Sequence, residues 1–146
     1  MKGAYSICVF ALAVSACQPG GSSTLAPGDT SDRTPFAGIG ADETIRFTGT
    51  EPFWGGETTG KQLTYSTPDN PEGVEIAIQR FAGRGGLSLS GRLDGEPFDL
   101  TVTAGTCSDG MSDRVYPFVA TLLLGDQTRN GCAWTDRHRF TGPENP

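Results

Sequence analysis

From Tyr116 to Leu124 the chain reads YPFVATLLL. Tyr116, Phe118, Ala120, Leu122 and Leu124 occupy alternate positions, and Val115, Val119, Thr121 and Leu123 fill the positions between them. A period of two sustained over this length is the pattern of a strand, because successive side chains in extended backbone point to opposite faces. Apolar groups on both faces predict a central or well-covered strand. Cys107 and Cys132 bracket it, so the stretch from Cys107 to Trp134 reads as a hairpin closed by a disulfide. Of the four cysteines, Cys8 and Cys17 belong to an apolar leader, which leaves Cys107 and Cys132 as an even pair. Two buried free thiols are the alternative.

The rest of the folded part repeats the alternation in shorter pieces. Ile45 and Phe47 alternate in TIRFT, Lys61–Thr67 is a short strand, and Val74–Phe81 reads as another, with Val74, Ile76 and Ile78 on one face. Leu87, Leu89 and Leu93 alternate with polar residues, as do Phe98, Leu100 and Val102. Pro68-Asp69-Asn70-Pro71, Gly83–Gly86 and Gly125-Asp126 are turn signals, and Asp94-Gly95 is the pair most suited to a type I′ hairpin. Pro52 cannot donate to a ladder, so Glu51–Gly56 contains a bend or an edge. Phe53 and Trp54, adjacent in extended chain, face opposite ways. Asn130-Gly131 predicts a bulge before Cys132, and Arg137–Thr141 a last edge element. With 21 glycines and 10 prolines in 146 residues and no long helical pattern, the expected fold is all-β. It is a small barrel or sandwich of about seven or eight short antiparallel strands with one disulfide.

Met1-Lys2 followed by the apolar run Ala4–Val14 has the form of a signal peptide, since a spanning helix needs about 20 apolar residues. Val14-Ser15-Ala16-Cys17 resembles the bacterial lipobox. That resemblance implies cleavage before Cys17, a diacylglycerol on its sulfur and stable attachment to a membrane through more than one acyl chain. Gln18 in place of Asp implies, by the sorting rule of enteric bacteria, the outer membrane facing the periplasm. The following residues are rich in Gly, Ser, Thr, Pro and Asp and lack an apolar period. The expected organisation is a leader over 1–16, the lipidated Cys17 and a flexible tether to 43, and a β domain over 44–142.

The formal net charge is −6. An acidic chain is unsuited to nucleic acid, whose phosphates need a basic face, and carries no polybasic run for a membrane surface. Cysteines committed to a bridge leave no zinc set around the single His138, and no Gly-x-Ser-x-Gly elbow accompanies it. No cofactor or metal is expected. In Cys107–Arg114 (CSDGMSDR) the carboxylates of Asp109 and Asp113 alternate with hydroxyls, a donor set for a hard cation. The spacing departs from an EF-hand, however, with Ala120 at the twelfth position from Asp109. Asp and Ser followed by Gly also build turns by bonding their own backbone. No carboxylate pair is marked out for sugar hydrolysis.

Two stretches together, Gly49–Trp54 (GTEPFW) and Cys107–Arg114 followed by Tyr116-Pro117 and Gly131-Cys132-Ala133, resemble the signature of a group of proteobacterial envelope lipoproteins. Some members of that group resemble, or are joined to, heat-shock-type META domains or lysozyme-inhibitor domains. The resemblance implies a small periplasmic β domain and brings no catalytic residue with it. The expected function is non-enzymatic binding of a protein or envelope glycan. The expected face is formed by Ser108, Asp109, Ser112, Asp113 and Arg114 together with Glu51 and Trp54, and Trp134 is a further aromatic candidate. The alternatives are a structural or stress-related envelope protein without a discrete ligand, and a domain that binds calcium or acts on cell-wall sugars.

Overall fold

The computed structural model describes residues 34–143. The leader, Cys17 and the tether up to residue 33 lie outside the described residues. Among the described residues no helix is long and apolar enough to cross a membrane.

Nine strands form one antiparallel sheet: β1 (Ile45–Thr50), β2 (Phe53–Thr59), β3 (Gln62–Thr67), β4 (Asn70–Ala77), β5 (Gln79–Ala82), β6 (Gly86–Leu93), β7 (Glu96–Cys107), β8 (Tyr116–Leu124) and β9 (Gln127–Thr135). Their order is β4-β3-β2-β1-β9-β8-β7-β6-β5. Sequence neighbours pair throughout except β4 and β5, which are the two edges of the sheet, and the first and last strands meet where β1 pairs β9. The expected strand Val74–Phe81 is the join. It is divided at Ile78, whose N–H donates to the Lys61 carbonyl at 2.9 Å. Before that point β4 pairs β3, and after it β5 pairs β6. One bent run therefore stitches both edges of the sheet, which rolls it into a nearly closed barrel and removes most of its free edge. The bend adds one element, and β2 adds another, since Phe53–Gly56, expected as a bend or an edge, belongs to a strand inside the sheet between β1 and β3; the expected last element Arg137–Thr141 contributes only the bridge Val115↔Thr141.

The alternating apolar residues face inward. Ile45, Leu63, Phe98, Leu100, Val102 and Leu122 are all fully buried. Side chains fill the interior, as a barrel of this strand number allows. Asp94 and Gly95 have φ of 52° and 87°, the type I′ geometry predicted for that pair. The bulge predicted at Asn130-Gly131 is absent: β8 and β9 keep one register from Phe118↔Ala133 to Leu124↔Gln127. The register instead shifts in β7 against β8, between Ala104 and Cys107.

Packing begins before Thr44, where the domain was expected to start. Phe36 N–H donates to the Gly83 carbonyl at 2.6 Å, and Ile39 is buried. Arg80 donates to the carbonyls of Ile39 and Gly40 at 2.8 and 3.0 Å, so the segment ahead of β1 closes one end of the barrel. Burial pushes the Arg80 pKa down, against the raising effect of Glu43. Glu43 is itself buried. Burial alone would raise its pKa, but hydrogen bonds from Thr135 and Gly40 N–H, with Arg137 and His138 nearby, hold it below the usual carboxylate value.

Candidate functional site

Cys107 and Cys132 are joined, with Cα atoms 5.6 Å apart. Cys132 pairs with Thr48 of β1 on one side and Val119 of β8 on the other. The bridge therefore pins the start of the loop Ser108–Arg114 to the outer face of the barrel wall. Thr50 Oγ1 donates to the Asp109 carbonyl at 3.2 Å, which ties the loop to the end of β1. The two stretches that carry the sequence motifs thus meet on one wall.

Asp109 organises the loop. Its Oδ1 accepts the N–H groups of Met111 and Ser112 at 3.0 and 2.8 Å. Its Oδ2 accepts the Ser112 hydroxyl at 2.6 Å and the Tyr116 hydroxyl at 3.1 Å. Burial by itself would raise the Asp109 pKa, yet these four donors bring it down to about 2. A carboxylate offers about four acceptor sites, so Asp109 is fully engaged by the loop. To serve as a calcium ligand it would have to give those bonds up. Ser108 and Ser112 are committed in the same way, accepting the N–H groups of Gly110 and Arg114 at 3.2 and 3.3 Å. Turn chemistry, and not an open ligand set, explains the spacing of these polar residues.

Trp54, expected on the binding face, is instead a core residue with 3 % exposure. Its indole lies over Gly49 and Gly131, where a β-carbon on either residue would collide with it. It stacks in sequence with Phe47 at 5.7 Å and Tyr65 at 6.5 Å. Tyr65 in turn accepts a hydrogen bond from Arg129 at 2.6 Å, and burial keeps the Tyr65 pKa raised against the opposing pull of that arginine. Gly49, Trp54 and Gly131 are one packing unit. Phe53 points the other way and is 52 % exposed.

Between the loop and the wall runs a groove of about 300 Å³, lined by Thr48, Thr50, Phe53, Met111, Tyr116 and Trp134 among others. Tyr116 is buried and belongs to a second aromatic cluster, with Trp134 and Phe140 at 5.4 and 5.5 Å. Arg114 lies over the Phe140 ring at 4.6 Å and donates to the Pro143 carbonyl at 2.8 Å. Of these rings Tyr116 and Trp134 line the groove. Two exposed apolar side chains, Phe53 and Met111, line it as well, the latter 68 % exposed. Glu51 and Asp113 are exposed and adjoin in sequence the lining residues Thr50, Ser112 and Arg114. On the other side of the disulfide a more polar hollow of about 390 Å³ is lined by Thr48–Glu51, Ser108, Asn130 and Gly131.

Alternation places Phe53 and Trp54 on opposite faces without saying which is inside. The glycines at 49 and 131, cross-strand from the indole, are the signal that decides it. Met111 carries no signal in the sequence, because a lone methionine in a polar loop has no period. His138 is edge-on to Phe118 at 5.6 Å, and its backbone N–H donates to the Thr135 hydroxyl at 2.9 Å. Among the described residues no group of three or more His, Cys, Asp or Glu side chains is placed to hold a metal ion.

No family model matches the chain, and no curated protein or solved structure gives a significant match to it.

Proposed function

We propose that this chain is a lipid-anchored envelope protein, tethered through Cys17 on the periplasmic side of the outer membrane, which binds an envelope protein without catalysing a reaction. The anchor reading rests on the leader and on Val14-Ser15-Ala16-Cys17. The binding reading rests on one observation. A loop held by a disulfide and by the four donors on Asp109 places the exposed Met111 in the lining of a groove that Phe53, Tyr116 and Trp134 also line. Folding ordinarily buries such side chains. Keeping two of them exposed around a preformed hollow of ligand size suits an apolar side chain from a partner. Methionine adds adaptability, being unbranched and polarisable.

The test is a photo-crosslinking residue placed at Met111 in the full chain, expressed in a bacterial envelope. One discrete protein adduct, lost when Phe53 is changed to Ser, supports the reading. An adduct to peptidoglycan fragments moves it to a glycan ligand, and no adduct from position 111 removes it. The anchor is checked separately by the mass of the mature N-terminal peptide, which carries acyl chains on Cys17 and loses them in Cys17→Ser.

A further inference from the structure

The polar hollow beside the loop lies where two strands part. The ladder between β1 and β9 ends at Thr48↔Cys132. Beyond that pair β1 turns away into β2 at Glu51-Pro52, while β9 extends back to Gln127 without a β1 partner. Side chains from both strands and from the loop line the resulting space of about 390 Å³. The hollow shares Thr48, Thr50 and Asp109 with the groove that Phe53 and Met111 line, so the two depressions adjoin.

Its polar side chains fall into two sets. Thr50, Ser108 and Asp109 are engaged within the loop and its attachment. The side chains of Thr48, Glu51, Thr128 and Asn130 bond to none of the described residues. Both charges in the lining are negative, Glu51 and the ionised Asp109, and no Lys, Arg or His lines the hollow. Arg129, between Thr128 and Asn130 in sequence, donates instead to the buried Tyr65. Arg114, in the lining of the groove, is held by Phe140 and by the Pro143 carbonyl. We infer that the hollow receives a lysine side chain from the same partner segment that fills the groove; this rests on the binding reading proposed above.

Three features select lysine. An ammonium group has three donors and no acceptor, which complements the Glu51 carboxylate and the free oxygens of Thr48, Thr128 and Asn130. A guanidinium gains most from a ring to stack on, and no aromatic residue lines the hollow. Val119 does line it, and it offers an apolar surface to the methylene stem of a lysine whose charged head stays wet. A metal ion is poorly served, because the Asp109 oxygens are already occupied by four donors. The exposed Glu51 steers the partner and sets its register on the wall, while the apolar groove supplies most of the affinity.

The test uses isolated envelopes of bacteria that express the full chain with a photo-crosslinking residue at position 111. After illumination they are treated with a carbodiimide, which joins a carboxylate to an amine at contact distance. An isopeptide bond is expected from Glu51 to a lysine within about six residues of the photo-adduct, a span of roughly 20 Å in extended chain. Glu51→Gln is expected to weaken capture of that partner about threefold at low salt. Glu75→Gln, on β4 and outside the lining, is expected to leave capture unchanged. A photo-adduct with no isopeptide at Glu51, or with one to a lysine remote in the partner, overturns the lysine site and leaves the groove standing. Equal weakening by Glu51→Gln and Glu75→Gln does the same, since net charge would then be what the partner reads. No photo-adduct overturns the groove reading and the lysine site with it.

Discussion

The Tyr116 hydroxyl donates to the Asp109 carboxylate at 3.1 Å, which joins the first residue of β8 to the centre of the loop that precedes it. Through this bond the loop and the outer aromatic cluster form one unit, because Tyr116 also stacks on Trp134 and Phe140. Asp109 belongs to the loop's structure, and the binding surface is what the loop carries, Met111 first.

A pH dependence follows. The Asp109 pKa is about 2 in the folded chain against about 3.9 for an unfolded aspartate. A lowered folded pKa contributes stability that is fully present above about pH 4 and is lost as pH falls through 2. Asp109→Asn should lower stability by roughly 1 to 2 kcal/mol at pH 7 and by progressively less from pH 4 to pH 2. Urea denaturation across that pH range checks it. A constant difference at every pH would show that the charge of Asp109 contributes nothing.

The unit formed by Gly49, Trp54 and Gly131 leaves no room for a methyl group. A β-carbon on Gly131 would meet the Thr48 carbonyl and the Trp54 ring, and one on Gly49 the indole itself. Gly131→Ala and Gly49→Ala should each cost about 2 to 4 kcal/mol, as overpacking against backbone does. Gly85→Ala, where nothing lies within 4 Å, is the control and should change stability by less than about 1 kcal/mol. Thermal unfolding of the three variants separates a packing role from a general sensitivity to losing glycine.

Much of the barrel was legible in the residues because alternation is a local signal. Tyr116, Phe118, Ala120 and Leu122 are inward or buried as read, and the Asp94-Gly95 turn has the predicted form. The closure was not legible. VEIAIQRF alternates through Val74, Ile76 and Ile78 as a single strand would, and the change of partner at Ile78, from β3 before it to β6 after it, shows only in the pairing. Asn130-Gly131 read as a bulge because a glycine in a strand has two meanings, and the second, close approach of another group, is the one in force. The polar loop read as candidate chemistry since Asp and Ser serve turns and ligands alike. Counting the donors on Asp109 distinguishes them, and that count needs coordinates.

The disulfide closes a loop with a sequence separation of 25, for which the chain-entropy relation gives about 3.5 kcal/mol. Cys132 is fully buried beneath the loop. Replacing both cysteines by Ser should lower the stability by about 3.5 kcal/mol. It should also loosen the loop before the barrel, since β7, β8 and β9 keep their ladders. Hydrogen exchange of the Met111 and Ser112 amides, which bond to Asp109, reports the loop, and amides of Leu100 and Leu122 report the barrel. Equal acceleration in both would show that the bridge holds the whole fold and not the loop alone.

Phe53 and Met111 contribute little to folding, because more than half of each side chain remains in water. Phe53→Ser and Met111→Ser should each shift stability by less than about 0.5 kcal/mol, the range of ordinary surface changes. If the groove takes a partner's side chain, the same two variants should each weaken capture of that partner by roughly tenfold or more, the behaviour of apolar anchors at an interface. Glu51→Gln and Asp113→Asn, exposed and next in sequence to groove-lining residues, should alter the salt dependence and on-rate of capture more than its affinity. Binding measured on the full chain at two ionic strengths gives both quantities. A partner held equally well by Phe53→Ser and Met111→Ser, but lost in the margin variants, would place recognition on the charged rim and remove the groove from the account.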